Sequence, residues 1–322
     1  MKATSVFVLA GGAALALAAF FFCAGRTPPA ADGKLKIVAT IFPAYDWTRE
    51  IVGGTASETE LTLLSDGGSD LHSYSPSVRD IAAISEADIF IYVGGESDGW
   101  VGDALAGAAN ADMIAINLLD ALGARAKIEE TVEGMQAAER HGGNARDEHV
   151  WLSLRNAVAF CEEIANALCL KDPTNAETYR ANCAAYTERL AGLDLRYAEA
   201  VASARSKTIL CADRFPLRYL VDDYGLGYYA AFDSCSAESE ASFKTVAFLA
   251  GKLDELGLES VVRLEDGNGK IARTIVAGSK NKAAQIVTFD SMQTAADRRI
   301  KKGETYVGAM ERNLAALKAA LD

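Results

Sequence analysis

Two short stretches hold the residues best suited to chemistry. One is Asp70-Leu71-His72-Ser73-Tyr74-Ser75-Pro76 and the other is Asp147-Glu148-His149-Val150-Trp151-Leu152. In each, a histidine follows an aspartate by two positions and leads into an aromatic or apolar segment. The chain has only three histidines, so two in matching contexts point to a single shared site. A divalent cation is the simplest thing for two imidazoles to share. Asp70 and Asp147 either orient the rings or cap local turns, and the sequence does not choose between these roles. The third histidine, His141, sits in a polar stretch beside Gly142-Gly143 and reads as a loop residue, or at most a transient ligand.

Carboxylates that could join the imidazoles lie at the ends of apolar runs in the second half of the chain. Asp290 closes Ile286-Val287-Thr288-Phe289-Asp290, where a helix cap is the competing role. Asp213 follows the run 208–212 and precedes Arg214, with which it could equally brace a turn. Glu238, Glu240 and the Glu265-Asp266-Gly267 turn occupy similar loops.

These residues need a scaffold. At 322 residues the chain exceeds the usual single-domain size, so two lobes are expected. A formal net charge of −12 argues against a nucleic-acid partner, because phosphate binding needs a basic face. Residues 6–24 are almost wholly apolar and are followed by a Pro- and Gly-containing tether, the pattern of a membrane-targeting segment. Cys23 at its end resembles a bacterial lipoprotein acylation site, although Phe22 stands where a small residue is usual; an uncleaved signal anchor is the alternative. Both place the body outside the cytoplasm, and residues 1–34 are assigned to anchor and tether. The cysteines at 161, 169, 183, 211 and 235 show no CxxC spacing and read as small buried hydrophobes, with a Cys211–Cys235 pair open if their strands are neighbours.

Strand patterns over 35–42, 61–64, 88–93 and 113–118 alternate with helical ones over 43–52, 77–87 and 100–108. That rhythm predicts an α/β lobe with a parallel sheet over residues 35–172. From Pro173 to about Ala204, Tyr179, Cys183, Tyr186, Leu190, Leu193, Tyr197 and Val201 step by three or four positions. They predict one helix of roughly 45 Å linking two lobes over residues 173–205, with a break at Gly192 as the alternative. Strands over 208–212, 228–232, 260–264 and 285–289, with helices between and a closing helix over 306–321, predict a second α/β lobe over 206–322. In such sheets functional loops lie at the carboxyl ends of strands.

The ordered set of motifs resembles the metal-specific solute receptors of bacterial ABC importers, the zinc- and manganese-binding lipoproteins. It comprises Ile37-Val38-Ala39-Thr40-Ile41-Phe42-Pro43, the two Asp-x-His stretches, the long helix and Thr288-Phe289-Asp290-Ser291-Met292. The resemblance implies two α/β lobes joined by one rigid helix, with the ion held at their interface, and a monomeric receptor that serves a membrane permease. It implies ligands matched by His72, His149 and Asp290, plus one more. The family position for that fourth ligand holds Ala212, which cannot bind metal. Asp213 is the preferred substitute, with Cys211, Glu240 or a water as alternatives. Two imidazoles with carboxylates suit zinc or manganese, and zinc is favoured on ligand softness and intrinsic affinity. Binding is expected to weaken as pH falls through about 6.5, since neutral imidazole is required. Two other classes compete. A zinc hydrolase lacks support from any H-E-x-x-H motif or evident base beside the histidines. A receptor for an organic solute would need a larger aromatic pocket.

Overall fold

The computed structural model describes residues 33–64, 70–136, 145–234, 240–294 and 297–322, and residues 34–322 form one compact unit. Cys23 and the apolar leader, His141, Cys235 and Glu238 therefore lie outside the described residues. Among the described residues no helix is long and apolar enough to cross a membrane.

In the first lobe, β1 (Leu35–Ala39) is followed by α1 (Phe42–Val52), β2 (Thr59–Leu63), α2 (Val78–Ser85), β3 (Ile89–Tyr92), α3 (Val101–Ala106), β4 (Ile114–Asn117), α4 (Leu118–Leu122) and α5 (Leu154–Lys171). The strands pair in the order β2-β1-β3-β4, all parallel. Successive residues Ile37, Val38 and Ala39 of β1 are buried, as an inner strand covered on both faces requires. Helix α2 starts at a capping box in which Ser77 and Asp80 satisfy each other's backbone amides. Pro76 thus lies just ahead of the cap.

The link between lobes is α6 (Ala176–Ser203), 28 residues without a break, preceded by a short 3-10 turn at Pro173–Asn175. The seven residues of the expected stripe are all buried. Gly192 is accommodated inside the helix, which rules out the two-helix alternative. One end packs on α1 and α5, where Asn182 Nδ2 donates to Ile51 O at 2.9 Å. Toward the other end Tyr197 Oη donates to Met310 O at 2.6 Å.

The second lobe repeats the first lobe's plan. It contains β5 (Thr208–Cys211), α7 (Arg218–Tyr224), β6 (Gly227–Ala230), α8 (Phe243–Glu255), β7 (Ser260–Leu264), α9 (Lys270–Gly278), β8 (Gln285–Phe289), α10 (Asp297–Lys301) and α11 (Tyr306–Leu321). Its strands run parallel in the order β6-β5-β7-β8, the same permutation as the first sheet. One continuous apolar cluster crosses the lobe boundary: Trp47 of α1 meets Phe160 of α5 and the edge of Tyr306 of α11, with ring centres 5.6 and 5.1 Å away. Cys161, Cys169, Cys183 and Cys211 are free thiols.

Candidate metal centre

His72 sits on a 3-10 turn, Leu71–Ser73, that Asp70 caps by accepting the His72 backbone N–H on Oδ1 at 3.0 Å. The second Asp70 oxygen accepts from Arg214 Nη2 at 2.8 Å, tying this turn to the other lobe. The His72 ring is held by other residues: Nδ1 lies 2.8 Å from Ser97 Oγ and 3.7 Å from Glu148 Oε2. Ser97 is in turn fixed by Glu148, whose Oε1 accepts its backbone N–H at 2.9 Å.

His149 is fully buried. Asp147 Oδ1 accepts both its backbone N–H at 2.9 Å and its ring Nδ1–H at 3.0 Å. A carboxylate on Nδ1 holds the proton there and leaves the Nε2 lone pair free for a ligand. The following turn, Val150–Leu152, is buried on every residue and locks the ring's backbone in place.

The two Nε2 atoms face each other at 3.2 Å. Zn–N bonds of 2.0–2.1 Å at a tetrahedral angle separate two ligand nitrogens by about 3.3 Å, so the pair stands close to the spacing that one ion needs. Burial and the facing His149 ring push the His72 pKa down to about 3, so this imidazole is neutral, the form a metal ion requires. A cavity of about 210 Å³ opens beside His72, rimmed by Glu96, Glu129, Glu148 and Arg146.

The carboxylates expected to join the imidazoles have other partners. Asp290 ion-pairs with Arg299, accepts from Arg312 Nη2 at 3.2 Å, and caps its own turn through the Met292 N–H at 3.1 Å. Asp213 Oδ1 accepts the Arg214 N–H at 3.0 Å, and its other oxygen lies against Gly267, only 2.5 Å from where a Cβ there would be. The Arg214 guanidinium reaches Asp70, and only its backbone N–H goes to Asp213. Of the alternatives, Cys211 is buried with its thiol pKa pushed far up by that burial, and Glu240 pairs with Lys270 at 3.5 Å. Ala212 is buried, its N–H given to Val262 O at 2.7 Å. The structure thus brings His72 and His149 together and leaves Asp213 and Asp290 on adjoining loops. Among the described residues no group of three or more His, Cys, Asp or Glu side chains stands ready to hold a metal.

Gln293 meets the imidazoles instead. Its Nε2 lies 3.0 Å from His72 Nε2 and 2.7 Å from His149 Nε2, and the residue is 3% exposed. Sequence reasoning did not single it out, nor Ser97 or Glu148.

A family model described as zinc-uptake complex component A, periplasmic, matches residues 37–320. The zinc-binding lipoprotein AdcA of Streptococcus pneumoniae is 31% identical over 95% of this chain, and the chain spans 60% of that relative's length. The high-affinity zinc uptake system protein ZnuA of Bacillus subtilis is 27% identical, over 89% of this chain and 88% of its own. The crystal structure of the Zn(II)-bound ZnuA-like domain of S. pneumoniae AdcA superposes with a TM-score of 0.70 at 27% identity, covering 90% of this chain and all of that domain. Two parallel-sheet lobes, one joining helix and a facing histidine pair agree with that match, and the chain belongs to the family of periplasmic A components of zinc-uptake complexes.

Proposed function

We propose that this protein is the extracytoplasmic, membrane-tethered receptor of a metal importer. It captures a zinc ion between its lobes and hands it to an ABC permease, acting as a monomer that carries its cargo and does no chemistry on it. The observation that carries this reading is the facing pair of Nε2 atoms 3.2 Å apart, one of them on a fully buried ring with its lone pair set by Asp147. The cavity beside His72 supports it, since its three glutamates outnumber its one arginine, Arg146, and a net negative rim concentrates cations at the approach to the site. His72 and His149 supply the two nitrogen ligands in this proposal. Asp290 supplies an oxygen by exchanging part of its arginine pairing for the ion, and Asp213 is the further oxygen candidate. Zinc is preferred over manganese because neutral imidazole suits it and its intrinsic affinity is higher.

Competition titration of the protein with zinc and manganese tests this. His149→Ala should lose zinc binding by two orders of magnitude or more, and Asp290→Ala and Asp213→Ala should each weaken it. Parental affinity in His149→Ala would end the site assignment; parental affinity in Asp213→Ala would remove that ligand alone.

A further inference from the structure

We propose that Gln293 is itself a ligand of the bound cation, through Oε1, and that its amide holds the two imidazoles in register until the ion arrives. This deepens the metal-capture reading and rests on it. The first observation is the geometry: the amide nitrogen lies within hydrogen-bond distance of both Nε2 atoms. An amide NH2 has two hydrogens, and two imidazole lone pairs face it. The amide therefore fills, by two donated hydrogen bonds, the position between the rings that a cation would take.

The second observation concerns the other end of the same amide. Gln293 Oε1 is buried and has no hydrogen-bond partner. A buried carbonyl oxygen without a partner is costly, and an arrangement that keeps one beside two metal-ligating nitrogens leaves an oxygen donor in reserve. The terminal torsion of glutamine is broad and roughly two-fold, so the amide can turn over within the volume it already occupies. A half-turn exchanges two N–H donors for one oxygen facing the same point, and only the oxygen has a lone pair to give a cation.

The backbone that aims this side chain is fixed by its surroundings. Asn313 brackets Asp290 with two hydrogen bonds of 2.8 Å, to its N–H and its carbonyl. Glu265 accepts from the Ser291 N–H at 2.7 Å and from its hydroxyl at 2.8 Å. Trp151 Nε1 donates to Ser291 O at 2.8 Å. Met292 sits at φ +56°, the one non-glycine residue at positive φ among the described residues. A left-handed, non-glycine turn persists only where its surroundings impose it, and here it delivers Gln293 to the ring pair.

Zinc titration of the protein carrying Gln293→Ala and Gln293→Glu, with His149→Ala alongside, tests the assignment, and cobalt substitution reads the coordination sphere. Gln293→Ala should bind zinc at least about tenfold more weakly and shift the visible bands of bound cobalt. Gln293→Glu keeps an oxygen at the same position and should bind at least as tightly as the parent. If Gln293→Ala binds zinc as well as or better than the parent, the amide merely obstructs the site and the proposal is wrong. It is equally wrong if Gln293→Glu is as weak as the alanine variant, since the amide hydrogens would then be what matters. Loss of zinc in His149→Ala with none in Gln293→Ala would sink this inference and leave the receptor reading standing; parental affinity in His149→Ala would sink both.

Discussion

At the scale of single residues the two histidines look alike in the sequence and are held differently in the structure. Asp147 serves both roles open to it, turn cap and ring partner, whereas Asp70 caps its turn and spends its other oxygen on Arg214. Ser97 and Glu148 take over the His72 ring. The Asp-x-His spacing singled out the two histidines that the structure brings together because that pattern is local. It could not reveal Ser97, Glu148 or Gln293, because their roles depend on which loops the sheets bring together. Gln293 in particular carries no spacing signal, only a position three places after a strand-end aspartate. The lowered His72 pKa has a consequence for stability. The folded ring stays neutral down to about pH 3, while the unfolded chain takes up a proton near 6.5, so this stabilisation is complete above pH 6.5 and is lost as pH falls toward 3. At pH 5 the loss is about 2 kcal/mol. Urea unfolding of metal-free parent and His72→Gln at pH 7.5 and pH 5 should show the parent losing about that much more than the variant. Parallel losses would show the ring is not held neutral.

At the scale of elements, the long helix was the most legible feature, since a stripe sustained over six steps of three or four residues has few other meanings. The eight strands were also readable, most of them as apolar, β-branched runs. The five-residue helices α4 and α10 were not, being shorter than any window in which a helical period can be recognised. Gly192 shows the limit of local propensity: glycine weakens a helix interior, yet the packed stripe on either side carries the helix through it. It is exposed, and a Cβ there would touch nothing within 4 Å. Gly192→Ala should therefore stabilise the protein by about 0.5–1 kcal/mol and raise the melting temperature by about 1–3 °C. A lowered melting temperature would indicate that the helix needs its glycine for bending.

At the scale of the whole molecule, the lobes are bound to each other by more than their connecting helix. Besides Asp70–Arg214, the Tyr219 hydroxyl donates to Asp147 O at 2.9 Å and the Tyr306 hydroxyl to Trp151 O at 2.7 Å. With the apolar cluster continuous across the boundary, opening the lobes widely would break all of these contacts together. The Trp151 indole lies among those cross-lobe contacts, its ring centre 5.3 Å from that of His149. The protein thereby contains its own optical probe. Zinc drawing electron density from the neighbouring imidazole should change the emission of this tryptophan, and a titration should show a saturable change that disappears in Trp151→Phe. The change surviving that substitution would mean the signal arises at Trp47 or Trp100 instead. Occupancy can then be followed in real time without any added dye.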